Sequence, residues 1–99
     1  MLETVAGFDW DAGNLEKCQK HGVSIGEIEA LLSSDPGVAP DPNHSALEDR
    51  FIAVGRNAAG RPLFVAFTFR LTDRQRVIRP VSARYMHKKE IAGYETEGP

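Results

Sequence analysis

The 99-residue sequence predicts an α+β fold, a single compact domain over residues 1–99. An N-terminal helical pair should pack on a mostly antiparallel β-sheet, with a short C-terminal helix closing the chain. Three observations predict this. Two helix starts lie within residues 11–27, three strand-like runs with short connectors follow between residues 50 and 84, and the length leaves no room for a second core.

The elements follow in order. "VAGFDW" (5–10) reads as a short opening strand. "DAGNLEKCQKHG" (11–22) reads as a helix, with Asp11 as N-cap and Asn14 three residues on. Leu15 and Cys18 give it a thin apolar stripe, and Gly22 fits the left-handed position past its end. Ser24 and Glu27 spell a capping box, and Val23 and Ile28 are spaced for a hydrophobic staple. Ile25, Ile28, Leu31 and Leu32 form one face of that second helix, which "SSDPG" stops. One or two residues should separate the two helices.

"VAPDPNHSALED" (38–49) reads as a loop with at most a short edge strand. Strands are expected over 50–56, 62–70 and 75–84, joined by "NAAG" and "LTD" as antiparallel hairpins. "MHKKEIAGYE" (86–95) closes as a short helix, and "TEGP" should fray.

Charge is segregated. Residues 1–49 hold ten acids against two lysines, a balance of −8. Residues 50–90 hold eight arginines and two lysines against Asp73 and Glu90, a balance of +8. The net charge of −2 therefore hides a basic half able to hold a positive potential. The longest apolar run, "LFVAF", is too short to cross a bilayer. The acidic N-terminus does not read as a targeting segment, so a cytoplasmic location is expected. Cys18, the single cysteine, has no partner for a disulfide. No H-x-x-x-H motif or carboxylate pair flanks His21, His44 or His87, so neither a metal nor another cofactor is expected.

The last strand carries the densest cluster. Ile78, Val81 and Ala83 all want the core, but their parities conflict under strict alternation. A one-residue bulge at Pro80 resolves the conflict and turns Arg79, Ser82 and Arg84 to the opposite face. Two guanidinium forks with a hydroxyl between them suit phosphate oxygens. Arg50, Arg56 and Arg70 on neighbouring strands would extend the patch. The plainer alternative is that these arginines pair with acids of the first half.

Three stretches then coincide with one family. "FDWDAGNLEKCQKHGVS", "EDRFIAVGRNAAGRPLFVAFTFR" and "IRPVSARYMHKKEIAGYE" resemble, in order, the three motifs of the BrnT toxins, and together cover residues 8–95. The resemblance implies a type II toxin: a small ribonuclease with a fold similar to RelE-type toxins, inhibiting translation and growth. It implies a BrnA-like ribbon-helix-helix antitoxin as partner, a heterotetramer of the two, and operator DNA contacted only through the antitoxin. Cys18 departs from the pattern where a polar residue is expected, and "LTDRQ" is a longer connector.

RNA cleavage without a metal needs a base for the 2′-OH, cations for the phosphorane-like transition state, and an acid for the leaving oxygen. Arg79 and Arg84 are the leading candidates for charge stabilisation, with Arg56 third. His21 is the candidate for proton transfer, because imidazole titrates near neutrality; the alternative is that it caps its helix. Lys17, Lys20 and His21 share a helix face. The lysines, with Arg50, Arg70, Tyr85 and His87, are candidate RNA contacts. Tyr85 and His87 are also open to proton transfer, against core packing for Tyr85 and solvation for His87. Glu48 is read as orienting Arg50, and Trp10 as core. A non-catalytic module that binds RNA or the antitoxin is the alternative function.

Overall fold

The computed structural model describes residues 5–41 and 49–97, which form three helices and a four-stranded antiparallel sheet. Glu48, His44, most of the 38–49 loop and residues 98–99 lie outside the described residues. Helix α1 (Ala12–Gln19) starts at Asp11, whose side chain accepts the Gly13 and Asn14 N–H groups while Asn14 Oδ1 accepts the Asp11 N–H. Helix α2 (Ile25–Ser33) starts at the expected Ser24–Glu27 capping box. Val23 and Ile28, the staple pair, are both buried.

Residues 20–24 link the helices, rather than one or two residues. Gly22 (φ +89°) reverses the chain, and Ser24 must be extended to cap α2. The helices consequently diverge: α1 lies on the last strand and α2 on the second.

The strands β1 (Gly37–Pro40), β2 (Phe51–Arg56), β3 (Pro62–Thr72) and β4 (Gln75–Tyr85) lie in the order β1-β2-β3-β4. The expected edge strand is thus present as β1. The expected opening strand is not. Residues 6–9 run beside β4 through three backbone bonds, and only Phe8 and Ile78 pair, as an isolated parallel bridge. After Asp9 the chain leaves the edge, because Asp11 must turn it into α1.

Alternation assigns the sheet's two faces. Phe51, Ala53 and Gly55 pair with Phe67, Val65 and Leu63 on the face the helices cover. Of these, Ala53, Leu63, Val65 and Phe67 join Ile28, Leu31, Leu32 and Ile78 in the core, with Phe51 packed against it, each large buried side chain contributing about 1.5–3 kcal/mol. Gly55 is required there. A Cβ at this position would overlap Leu31 Cδ1, so α2 approaches β2 only because the side chain is missing. Gly55→Ala is expected to cost about 1–3 kcal/mol in chemical denaturation; unchanged stability would show that Leu31 repacks freely.

Ile52, Val54, Phe64 and Ala66 face the other way. On β4 the pairing slips: Ala66 faces Ser82, Phe67 faces Pro80, and Val81 has no partner. The expected bulge exists, one residue beyond Pro80. The core takes Ile78, Pro80 and Ala83, while Val81 is only half-buried, which corrects the expectation for Val81. Arg79, Ser82 and Arg84 pair with Thr68, Ala66 and Phe64 and so lie on the open face, as expected.

β2 pairs with β3 only as far as Phe67. Beyond it, residues 68–72 and 75–79 continue as a β3–β4 arm, flanked on the β4 side by residues 6–9 as far as Arg76 and closed by Asp73 and Arg74, both at positive φ (51° and 65°). This two-residue turn, rather than "LTD", joins the strands. Helix α3 (Lys88–Glu97) runs two residues further than expected and includes Thr96 and Glu97. Among the described residues no helix is long and apolar enough to cross a membrane.

Candidate functional site

The open face carries a groove of about 360 Å³. Ile52, Phe64 and Ala66 form its floor, Ser82 and Arg84 come from β4 beyond the bulge, and Asp41 follows β1. His21 enters from the turn after α1. The bulge matters here, because without the extra residue Ser82 and Arg84 would point into the core.

Arg84 is held from two sides. Its guanidinium lies over the Phe64 ring, 4.7 Å from the centroid. Its two terminal nitrogens donate to the two oxygens of Glu90, each at 2.8 Å. Glu90 Oε1 also accepts the His87 N–H at the start of α3. The Arg84 fork and that N–H hold the Glu90 carboxyl at about 2, and Glu90 in turn raises the pKa of Arg84.

Arg79 shares the open face but not the groove. Its Nη1 reaches Asp11 at 2.9 Å and Asp9 at 3.3 Å, and its side chain is 20% exposed. The hydrogen bond from Arg79 lowers the Asp11 pKa. For Arg79 the plainer alternative therefore describes what is seen: a basic-half arginine joined to first-half acids. Arg56 sits at the far end of β2, donating to Gly60 O at 2.8 Å and Glu95 at 3.1 Å, with its guanidinium 5.3 Å from the Tyr94 centroid.

The other candidates scatter. Lys17 and Lys20 are exposed on α1 and its C-cap, next in sequence to His21. Arg50 is half-buried, and its Nε has no hydrogen-bond partner among the described residues. Arg70 is exposed on the arm. His87 is exposed at the start of α3. Tyr85 faces the helices instead of the groove: its hydroxyl donates to Glu27 (2.8 and 3.0 Å), and Arg61 stacks on its ring at 3.7 Å. Trp10 is half-buried against the core and donates to Glu29 at 2.8 Å. Cys18 is fully buried, which pushes its thiol up to about 11 and leaves it unreactive.

Sequence reasoning missed Glu90 and Phe64 as supports of Arg84. Glu90 did carry a signal, since it stands three residues after His87 at a helix start. Among the described residues, no group of three or more His, Cys, Asp or Glu side chains could hold a metal ion.

Glu27 joins α2 to the sheet. The Asn57 amide first, then the Ser24 N–H and the Tyr85 hydroxyl, lower its pKa from an ordinary 4.5 to about 2. The folded value lies below the unfolded one. Its stabilisation is therefore complete above 4.5 and lost as pH falls towards 2. The melting temperature should fall through that window, and Glu27→Gln should flatten the fall. An unchanged acid slope in the variant would refute the assignment.

A family model described as "Ribonuclease toxin, BrnT, of type II toxin-antitoxin system" matches residues 10–90. No curated protein matches the chain.

Proposed function

The chain belongs to the BrnT family of type II toxin–antitoxin ribonuclease toxins, and from that premise we propose that it cleaves RNA without a metal in the open-face groove. The family makes RNA the target and an antitoxin the partner. The observation that carries the proposal is the convergence of His21, Ser82 and Arg84 in one groove, from chain segments about 60 residues apart. In this reading His21 accepts the proton of the ribose 2′-OH. The 2′-oxygen attacks the adjacent phosphorus, the bond to the 5′-oxygen breaks, and that oxygen needs the same number of protons His21 has taken. One imidazole can therefore serve both steps. Arg84 balances the charge of the phosphorane, exchanging the Glu90 carboxylate for phosphate oxygens of matching geometry. Ser82 adds a hydroxyl donor. Lys17 and Lys20 draw the RNA backbone towards His21, and Arg79 holds α1 against β4.

The proposed antitoxin is a ribbon-helix-helix protein in a heterotetramer. It masks the groove with carboxylates presented to Arg84, and the complex rather than the toxin represses the operon. Induced expression alone should slow growth and deplete intact RNA, and co-expression of the antitoxin should rescue. Purified protein should cleave RNA equally with and without a chelator. Soluble protein that leaves growth and RNA untouched would refute the reading for this chain.

One observation favours a second reading. Both Arg79 and Arg84 already hold carboxylates, as a surface built to grip an acidic antitoxin segment would. Tight antitoxin binding without RNA affinity would select that non-catalytic module.

A further inference from the structure

The β3–β4 arm extends past the body of the sheet and takes no part in the groove. Its tip carries exposed Arg74 and Arg76, and Leu71, opposite Arg76, is 79% exposed, the large apolar side chain most open to solvent among the described residues. Arg76 is exposed, and its guanidinium carbon sits over the Phe69 ring, 3.7 Å from the centroid. Phe69 is itself held edge-on by Phe51 and Phe67 at 5.6 and 5.5 Å. A guanidinium backed by a ring on one side offers its other plane for stacking. That arrangement receives an unpaired base, with no sequence preference. Asp73 is the one acid in the turn, against Arg74 and Arg76 beside it.

We propose that this arm is a second RNA contact, in which an unpaired nucleotide stacks on Arg76 against Leu71 while Arg74 neutralises a phosphate. The inference rests on the ribonuclease reading and deepens it to unpaired RNA longer than the groove. Arg76 and Arg84 lie on one strand about 23 Å apart at the strand rise once the bulged Val81 is set aside. They lie on opposite faces, Arg76 with Ile78 on the helix side and Arg84 on the open side, so the RNA must pass around the sheet and several nucleotides must separate base stacking from cleavage. A substrate too short to span that distance cannot use the arm. An exposed apolar residue beside arginines could also face a protein, but a ring-backed guanidinium with a second arginine two residues away supplies both a stacking surface for a base and a charge for a phosphate.

The test measures affinity for labelled 2′-O-methyl RNA, which lacks the attacking hydroxyl and survives binding. Oligomers of mixed sequence, about 30 and about 4 nucleotides long, probe both surfaces and the groove alone. The variant is Arg74→Asn with Arg76→Ala, asparagine being chosen because it tolerates the positive φ at 74. The ratio of long to short affinity should fall about tenfold, and the salt slope for the long RNA should drop by about 0.7, the share of the one phosphate contact made by Arg74. An unchanged ratio would overturn the arm. So would unchanged RNA affinity with weakened antitoxin binding, which would give the arm to the partner. Wild-type protein that binds neither length would overturn the ribonuclease reading and the arm with it. Wild-type protein that binds both lengths equally would overturn the arm alone.

Discussion

Arg84→Ala is expected to lower RNA cleavage by roughly 10²–10³-fold, the usual loss when one preorganised donor to a developing oxyanion is removed. The protein should stay folded. The Arg84–Glu90 pair is partly exposed, with side chains 40% and 31% accessible, and pairs of this kind contribute about 0.2–1 kcal/mol. Contact with Phe64 adds a similar amount. Arg84→Lys should fall between wild type and alanine, because it keeps the charge but loses the fork. His21→Ala should match the alanine variant in direction, and the double variant should lose less than the two losses multiplied, since both act on one transition state. The readout is cleavage per folded molecule at fixed salt. Full cleavage in Arg84→Ala would remove Arg84 from the chemistry. Loss of folding would make its role structural.

Asn14→Ala should have the largest effect on stability, about 3 kcal/mol, a sizeable part of the roughly 5–15 kcal/mol that holds a domain of this size together. Asn14 is buried, and each of its polar atoms is used. Its amide nitrogen donates to Asp9 O and Pro80 O, both at 2.8 Å, and its oxygen accepts the Asp11 N–H at 2.7 Å. Alanine would leave two carbonyls and one N–H without these partners in or beside the core. Asn14→Asp tests the mechanism: it can still accept from Asp11 but, ionised, cannot donate to either carbonyl, so it should be about as damaging. Because Pro80 adjoins the bulge that turns Ser82 and Arg84 outward, activity per folded molecule should fall too. Chemical denaturation with a loss below about 0.5 kcal/mol would refute the account.

These two residues differ in how they could be found. Asn14 stands three residues after an N-cap aspartate, so local spacing alone announced one of its three bonds. The bond to Pro80 joins positions 66 apart in sequence, and no local pattern encodes it. The bulge was legible because Ile78 and Ala83 cannot share a face under strict alternation. Its position at Val81 was not, since either apolar neighbour satisfies the pattern until Phe67 and the helices are in place. The opening segment misled for a related reason. "VAGFDW" has strand composition, but whether it pairs depends on the free edge of β4 and on how soon Asp11 starts α1.

The sequence by itself determined what acts within a few residues: the helix caps, the glycine reversal at 22, the three hairpin strands, the charge split and the three family motifs. These are set by backbone sterics, alternation and local hydrogen bonding, which depend only on neighbours. Tertiary structure decided which of the many arginines belongs to the groove. Arg79 and Arg84 look equivalent on one strand, yet the first meets Asp9 and Asp11 and the second meets Phe64 and Glu90. Tyr85, one residue from Arg84, faces Glu27 on the opposite side of the sheet. A side chain's electrostatic partner is whichever group packing brings within a few ångströms, and that proximity exists only once distant segments have folded together.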